Sequence, residues 1–174
     1  ADIPSRSTAF LLGSVAPDFA LGLLSAGFVI DRKIKKLDQV WCGDEFNAIF
    51  FNDPRWILSH NLLHAPLLLL LSLILGAYLG KRFRQSWGWS VFWFALGCAF
   101  HSSVDLLTHH DDGPLIWFPF NWKTRFQSRI SYWDRRHGAA LFAPLEHLLD
   151  LVLLIYLAFE YVLKHRKALE GPQK

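Results

Sequence analysis

Histidine and carboxylate residues recur at helical spacing within stretches of sequence that are otherwise apolar. His60 and His64 are four residues apart, and His101, Asp105 and His109 follow one another at intervals of four. Residues four apart lie on one face of an α-helix, so each set can point in a single direction. Imidazole and carboxylate groups together are typical ligands of a divalent transition-metal ion.

Further residues of the same types lie within or beside the apolar stretches. The full set of predicted metal ligands is Asp18, His60, His64, His101, Asp105, His109, Asp111 and Asp112. Glu146 and Asp150, also four apart, are predicted to act as a general base or to support a ligand. The expected ion is zinc, with manganese or iron as alternatives. Such an ion lowers the pKa of a bound water, which then becomes a nucleophile for hydrolysis.

The apolar residues around these groups form four stretches long enough to cross a bilayer. Charged residues make up only 19% of the 174 residues, and hydrophobic residues make up 52%. A soluble domain usually has about 25% charged residues, and a spanning helix needs about 20 mostly apolar residues. The windows that meet this length are 9–30, 56–80, 87–109 and 139–163. We therefore predict an all-α, polytopic integral membrane protein with about four transmembrane helices in a single bundle, forming one domain over residues 1–174.

The two long connections, 31–55 and 110–138, lie on one side of the membrane if the four spans alternate in direction. The histidines of the second and third spans then lie towards that same side. Ionisable groups are costly inside a bilayer and mark functional sites there. The histidines of the two spans are predicted to lie at a similar depth in the membrane. This similarity favours one shared site over independent packing of each side chain.

Basic and aromatic residues in the second long connection predict contact with an anionic group. Arg125, Arg129 and Arg135 are predicted to bind a phosphate or another anionic part of a substrate. A net charge of +3 would also fit a nucleic-acid partner. Beside membrane spans, however, basic and aromatic residues are typical of the lipid headgroup region. We therefore expect membrane lipids as partners and no nucleic acid.

Three motifs resemble those of the YdjM-type membrane-bound predicted metal-dependent hydrolases. The motifs are Gly13–Asp18, His60–His64 and His101–His109, and the resemblance extends over about residues 9 to 150. It implies a polytopic helical bundle whose ligands are drawn from Asp18, His60, His64, His101, Asp105 and His109. It also implies hydrolysis, by the family's own similarity to zinc-dependent phospholipase C. The later segment is similar to a bacterial branch, which makes the bacterial inner membrane the expected location.

Two functions are consistent with these features. The first is a membrane-embedded metal-dependent hydrolase that acts on a phospholipid or another amphipathic phosphoester through a metal-activated water. The second is a non-enzymatic accessory subunit of a larger membrane complex, whose histidines bind a pigment or haem or serve only in packing. Members of the family often carry an N-terminal Thr–His where this chain has Ser7–Thr8–Ala9, so the second function stays open.

Overall fold

The computed structural model describes residues 3–36, 43–83 and 86–169, so residues 37–42 of the first predicted connection lie outside it. The described chain is helical and contains no β-strand, only an isolated bridge between Leu115 and Arg125. The helices are α1 (Ile3–Ile34), α2 (Asp44–Asn52), α3 (Pro54–Asn61), α4 (Pro66–Arg82), α5 (Ser86–Thr108) and α6 (Ala139–Leu169), with a short 3-10 turn at Arg135–His137. The predicted all-α fold class is confirmed.

Three helices are long and apolar enough to cross a membrane, and a bent pair supplies a fourth candidate. The three are Ser5–Ile34, Ser86–Thr108 and Ala139–Leu163. The pair is α3 and α4, which pass the same test together and bend by 46° at the break between them. No residue in the most apolar stretch of α6 is buried, so its leucines are available to lipid or to another protein. Length and composition thus confirm a multi-pass membrane protein.

The second predicted span, 56–80, is not one continuous helix. α3 ends at Asn61 and α4 begins at Pro66, with a turn between them. Proline has no N–H to donate, and it disfavours helical geometry in the residue before it. Ala65 accordingly adopts an extended conformation, with φ −64° and ψ 120°. Apolar length alone did not reveal the break, because the window 56–80 contains no Asp, Glu, Lys or Arg on either side of it.

Glycines allow α5 to approach α1 and α4 closely. A Cβ atom added at Gly13 of α1 would lie 2.1 Å from the carbonyl oxygen of Phe94, and one added at Gly97 would lie 2.2 Å from that of Phe10. A Cβ added at Gly76 of α4 would lie 2.7 Å from a backbone nitrogen of α5. Membrane helices commonly pack through such small residues. The polar residues of α1 and α5 are therefore held face to face.

The connection after α5 packs against the break between α3 and α4. Asn61 is fully buried, and its Oδ1 accepts a hydrogen bond of 2.6 Å from the backbone N–H of Leu115. Its Nδ2 donates to the carbonyl oxygen of Ile57 at 2.7 Å. Ile57, Ala65, Leu115 and Phe118 form a buried apolar cluster around this contact. One asparagine therefore joins the interrupted span to the connection.

The chain divides into two compact units, 1–128 and 129–174. The first contains α1 to α5 and the connection that follows α5, and the second contains the 3-10 turn and α6. Within the second unit, Asp134 accepts a hydrogen bond from the backbone N–H of Arg136 and pairs with its guanidinium at 2.7 Å. The Arg136 guanidinium lowers the pKa of Asp134 to about 2. The single bundle of four spans stays a prediction.

Candidate metal centre

Four of the predicted ligands converge in the first unit. They are Asp18 of α1, His64 in the break between α3 and α4, and His101 and Asp105 of α5. One oxygen or nitrogen atom of each lies within 4.8 Å of the corresponding atoms of the other three. Three separate parts of the chain thus build one group that could hold a metal ion.

The distances within this group match those between the ligands of a single ion. Nε2 of His64 lies 3.4 Å from Asp18 Oδ1 and 3.1 Å from Asp105 Oδ2. Nε2 of His101 lies 3.4 Å from Asp18 Oδ2 and 3.2 Å from Asp105 Oδ2. Ligand atoms bonded at about 2.0–2.1 Å to a tetrahedral ion lie about 3.3–3.4 Å apart, and octahedral neighbours about 3.0 Å apart.

Both imidazole rings turn Nε2 towards the centre because the backbone holds the other ring nitrogen. Nδ1 of His64 lies 2.5 Å from the carbonyl oxygen of His60, and Nδ1 of His101 lies 2.9 Å from that of Ser14. A carbonyl oxygen can only accept a hydrogen bond, so we assign the ring proton to Nδ1 in each case. Metal-bound histidines typically make this second hydrogen bond, which directs the Nε2 lone pair at the ion.

The buried Nε2 atoms of the two histidines face the carboxylates. Nε2 of His64 and Nε2 of His101 are buried, and each lies 3.1–3.4 Å from oxygens of Asp18 and Asp105. A cation between the two imidazoles and the two carboxylates would satisfy all four groups together. The side chain of His64 is fully buried, whereas that of Asp18 is 64% exposed. The group is therefore closed at His64 and open at Asp18.

No protein-family model, curated protein or solved structure matches this chain. The chemistry of the group of four is therefore inferred from its side chains.

The side chains of the group narrow the class of ion that could bind there. Two imidazole nitrogens and two carboxylates suit zinc, manganese or iron, whereas magnesium and calcium prefer oxygen ligands alone. An open side is typical of catalytic metal sites, because a structural site surrounds its ion completely.

Polar residues that the sequence interpretation missed hold His64 in place. The hydroxyl of Ser102 donates a short hydrogen bond to the carbonyl oxygen of His64. The carbonyl oxygen of Asn61 accepts from the backbone N–H of His64 at 3.3 Å. Ser102 had a signal in the sequence, since it is a polar side chain in an apolar stretch directly after His101. The Asn61 contact uses a main-chain carbonyl, which every residue type supplies, so the residue type gave no signal for it.

His60 and His109 border the group of four without belonging to it. The His60 ring stacks on that of His64 with 4.6 Å between the ring centroids. Both of its ring nitrogens are buried and without a hydrogen-bond partner among the described residues. Nε2 of His109 lies 4.0 Å from Asp105 Oδ1, and Nδ1 of His109 lies 3.0 Å from Asp112 Oδ1. His109 and Asp112 thus form a pair beside the outer oxygen of Asp105.

Asp111 lies in a different setting from the other predicted ligands. Its Oδ1 is 3.6 Å from Nε2 of His110 and 3.4 Å from Nε2 of Gln127. Its side chain is 58% exposed. The structure therefore does not place Asp111 in the group of four, and its role as a ligand stays a prediction.

Arg125 is the one predicted substrate-binding arginine in the first unit, since Arg129 and Arg135 belong to the second. Its Nη1 donates to the carbonyl oxygen of Gly113. Its guanidinium lies over the rings of Phe50 and Phe51, at 5.7 and 5.4 Å from their centroids. Burial lowers the pKa of Arg125, and the nearby Asp112 opposes that effect. Arg129 and Arg135 are exposed.

The predicted catalytic carboxylates, Glu146 and Asp150, lie on α6 in the second unit. Asp150 Oδ2 lies 4.0 Å from Nδ1 of His147, and Nε2 of His147 lies 3.3 Å from the hydroxyl of Tyr132. Burial raises the pKa of Tyr132, and the negative charges of Glu146 and Asp150 raise it further. The catalytic role of the two carboxylates stays a prediction.

Proposed function

We propose that this protein is a membrane-embedded metal-dependent hydrolase. The observation that carries the proposal is the convergence of two Nε2 atoms and two carboxylates at 3.1–3.4 Å, with both Nδ1 atoms held by backbone carbonyls. Zinc is the proposed ion, with manganese or iron as alternatives. When bound, the ion would supply a hydroxide nucleophile by lowering the pKa of a coordinated water.

The residues of the group have separate tasks in this proposal. His64, fully buried, anchors the closed side, and His101 is oriented by α1 through the Ser14 carbonyl. Asp18 and Asp105 balance the two positive charges of the ion. Asp18 borders the open side, where a substrate would enter.

The surroundings of Asp18 support a substrate with an apolar tail. Val15 and Phe19 of α1 flank Asp18 and are 68% and 67% exposed. A phospholipid or another amphipathic phosphoester could lay its tail along this surface and bring its polar group to Asp18. Hydrolysis would form a P–O bond from the water and break the P–O bond to the alcohol. The alcohol would leave with one proton from the water.

The resemblance of the three motifs to the YdjM-type family supports the same proposal. With it we propose a location in the bacterial inner membrane and lipids as partners. The competing function is an accessory subunit of a larger membrane complex. Its histidines would bind a pigment or haem, or only pack.

Metal analysis and phosphate release separate the two functions. The full chain, purified in detergent, should contain about one zinc, manganese or iron ion per chain. It should release phosphate or a phosphoalcohol from a short-chain phospholipid. His101→Ala and Asp105→Ala should abolish both properties. The matched control is His137→Ala, a histidine of the 3-10 turn Arg135–His137 that is not among the proposed ligands or bases.

Two results would contradict the hydrolase. One is a bound coloured cofactor with no stoichiometric zinc, manganese or iron beyond the iron that a haem itself contains, which would favour the accessory subunit. The other is hydrolysis that persists in both His101→Ala and Asp105→Ala.

A further inference from the structure

Neutral groups hold the guanidinium of Arg125 in one orientation. Its Nη1 donates to the carbonyl oxygen of Gly113 and lies 3.4 Å from that of Asp112. The rings of Phe50 and Phe51 lie against the guanidinium. The Asp112 carboxylate is itself 3.0 Å from His109 Nδ1. Within the described chain, no carboxylate lies within ion-pair distance of Arg125, so its half-buried charge lacks a direct counter-ion.

One edge of this guanidinium has no hydrogen bond. Nη1 is the donor to both carbonyl oxygens, and no bond from Nε or Nη2 of Arg125 is found among the described residues. These two atoms form the edge that carries two parallel N–H groups. Such an edge matches two oxygens of a phosphate group, which it binds in a bidentate manner.

The backbone of Arg125 is tied to that of the metal-binding group. Arg125 pairs with Leu115 in the isolated bridge of the connection. The N–H of Leu115 donates to Asn61 at 2.6 Å, and the Asn61 carbonyl accepts from His64. This line of contacts connects the backbone of Arg125 to that of His64.

A second line of contacts runs through aromatic rings. Phe50, which lies under the Arg125 guanidinium, packs edge-on against the His60 ring with 5.3 Å between centroids. The His60 ring then stacks on His64. Two separate lines of contacts thus connect Arg125 to His64, one through its backbone and one through its side chain.

The geometry points to Arg125 as the anchor of a phosphate group in the substrate. This inference rests on the proposed hydrolase and deepens it, because it assigns binding of the substrate's phosphate group to one residue outside the group of four. Asp18 and Asp105 already balance a divalent ion, so the guanidinium supplies an additional positive charge for an anion. The free Nε and Nη2 edge provides the geometry for binding two phosphate oxygens.

Phosphate binding to the full chain in detergent tests this inference without an activity assay. The probes are inorganic phosphate and a short-chain phosphatidate below its micelle concentration, each titrated into zinc-loaded and zinc-free protein by calorimetry. We expect Arg125→Ala to weaken phosphate binding at least about tenfold. Arg125→Lys should be intermediate, because it keeps the charge and loses the planar fork. Arg55→Ala is the matched control, since Arg55 is exposed and pairs with Asp53.

The two probes distinguish the sources of the phosphate. Dependence on Arg125 for both probes supports a subsite for the phosphate group itself. Dependence for the phosphatidate alone supports a subsite that takes a lipid headgroup. Equal affinities of wild type and Arg125→Ala for both probes would overturn the subsite. If Arg125→Ala does not fold, Arg125→Lys decides in the same way, with zinc content as the check on the metal group.

The outcomes also separate this inference from the proposed function. Arg125-dependent phosphate binding by a chain that holds no metal and hydrolyses nothing would keep the subsite and contradict the hydrolase. Metal-dependent hydrolysis with phosphate binding unchanged in Arg125→Ala would do the opposite.

Discussion

The backbone carbonyl oxygen of Ser14 lies 2.9 Å from Nδ1 of His101, so a residue of α1 sets the orientation of a candidate metal ligand on α5. The contact depends on the close approach of the two helices at Gly13 and Gly97. The packing of α1 against α5 therefore also sets the geometry of the candidate metal site. A change that separates the helices should disturb the site even where no ligand is altered.

Gly97→Ala tests this coupling. The new methyl group would meet the carbonyl oxygen of Phe10, and overpacking of this kind costs about 1–3 kcal/mol. We expect a lower thermal midpoint in detergent and a loss of zinc affinity. Gly22→Ala on α1 is the control, because nothing lies within 4 Å of a Cβ atom there. Equal zinc affinity in the two variants would contradict the coupling.

Zinc binding should release protons. Two Nε2 atoms lie at 3.1–3.4 Å from two carboxylates, and without an ion this arrangement is stable only if protons lie between them. The ion takes the place of these protons, so about two should be released for each ion bound. Calorimetry in buffers that differ in their heat of ionisation measures the number. An apparent binding enthalpy that is the same in all buffers would refute this account.

Asp105→Asn and Asp111→Asn should differ sharply, although the sequence predicts both residues as ligands. Asp105 Oδ2 faces both ligand histidines, whereas Asp111 contacts His110 and Gln127. We expect Asp105→Asn to weaken zinc binding at least about 100-fold and Asp111→Asn to change it by less than about threefold. Competition with a chromophoric chelator measures both affinities. A large loss in Asp111→Asn would show that Asp111 is a ligand after all.

Asn61→Ala should loosen the site from outside the ligand set. It removes the acceptor of the buried Leu115 N–H, and a buried donor without a partner costs about 1–3 kcal/mol. We expect faster hydrogen exchange at Leu115 and weaker zinc binding. Asn52→Ala is the matched control. Asn52 also donates to the carbonyl four residues earlier, at 2.8 Å, but it is exposed. Similar effects in the two variants would argue against a specific role for Asn61.

The sequence was sufficient for the fold class, and it predicted the residues that form the group of four. Apolar length identified the candidate spans, and helical spacing placed His101 and Asp105 on one face. The same spacing rule did not extend to Asp111, because α5 ends at Thr108 and the residues beyond it are not helical.

Contacts through backbone carbonyl oxygens could not be predicted from the sequence. The acceptors for the two ligand histidines are main-chain atoms of Ser14 and His60, and every residue type supplies a carbonyl. Residue identity therefore carries no signal for them. Pro66 is a signal in the sequence for a break in the helix. The position that His64 takes in this break could be learned only from the folded chain.

The contact between Asn61 and Leu115 joins residues that are 54 positions apart. The buried side chain of Asn61 therefore cannot meet its partner until residue 115 has been synthesised. Ser102, which holds the His64 carbonyl, also arrives only with α5. The candidate ligand set can thus reach its final form only after α5 and the connection behind it have been made. Any metal loading is consequently expected only after that connection has been synthesised.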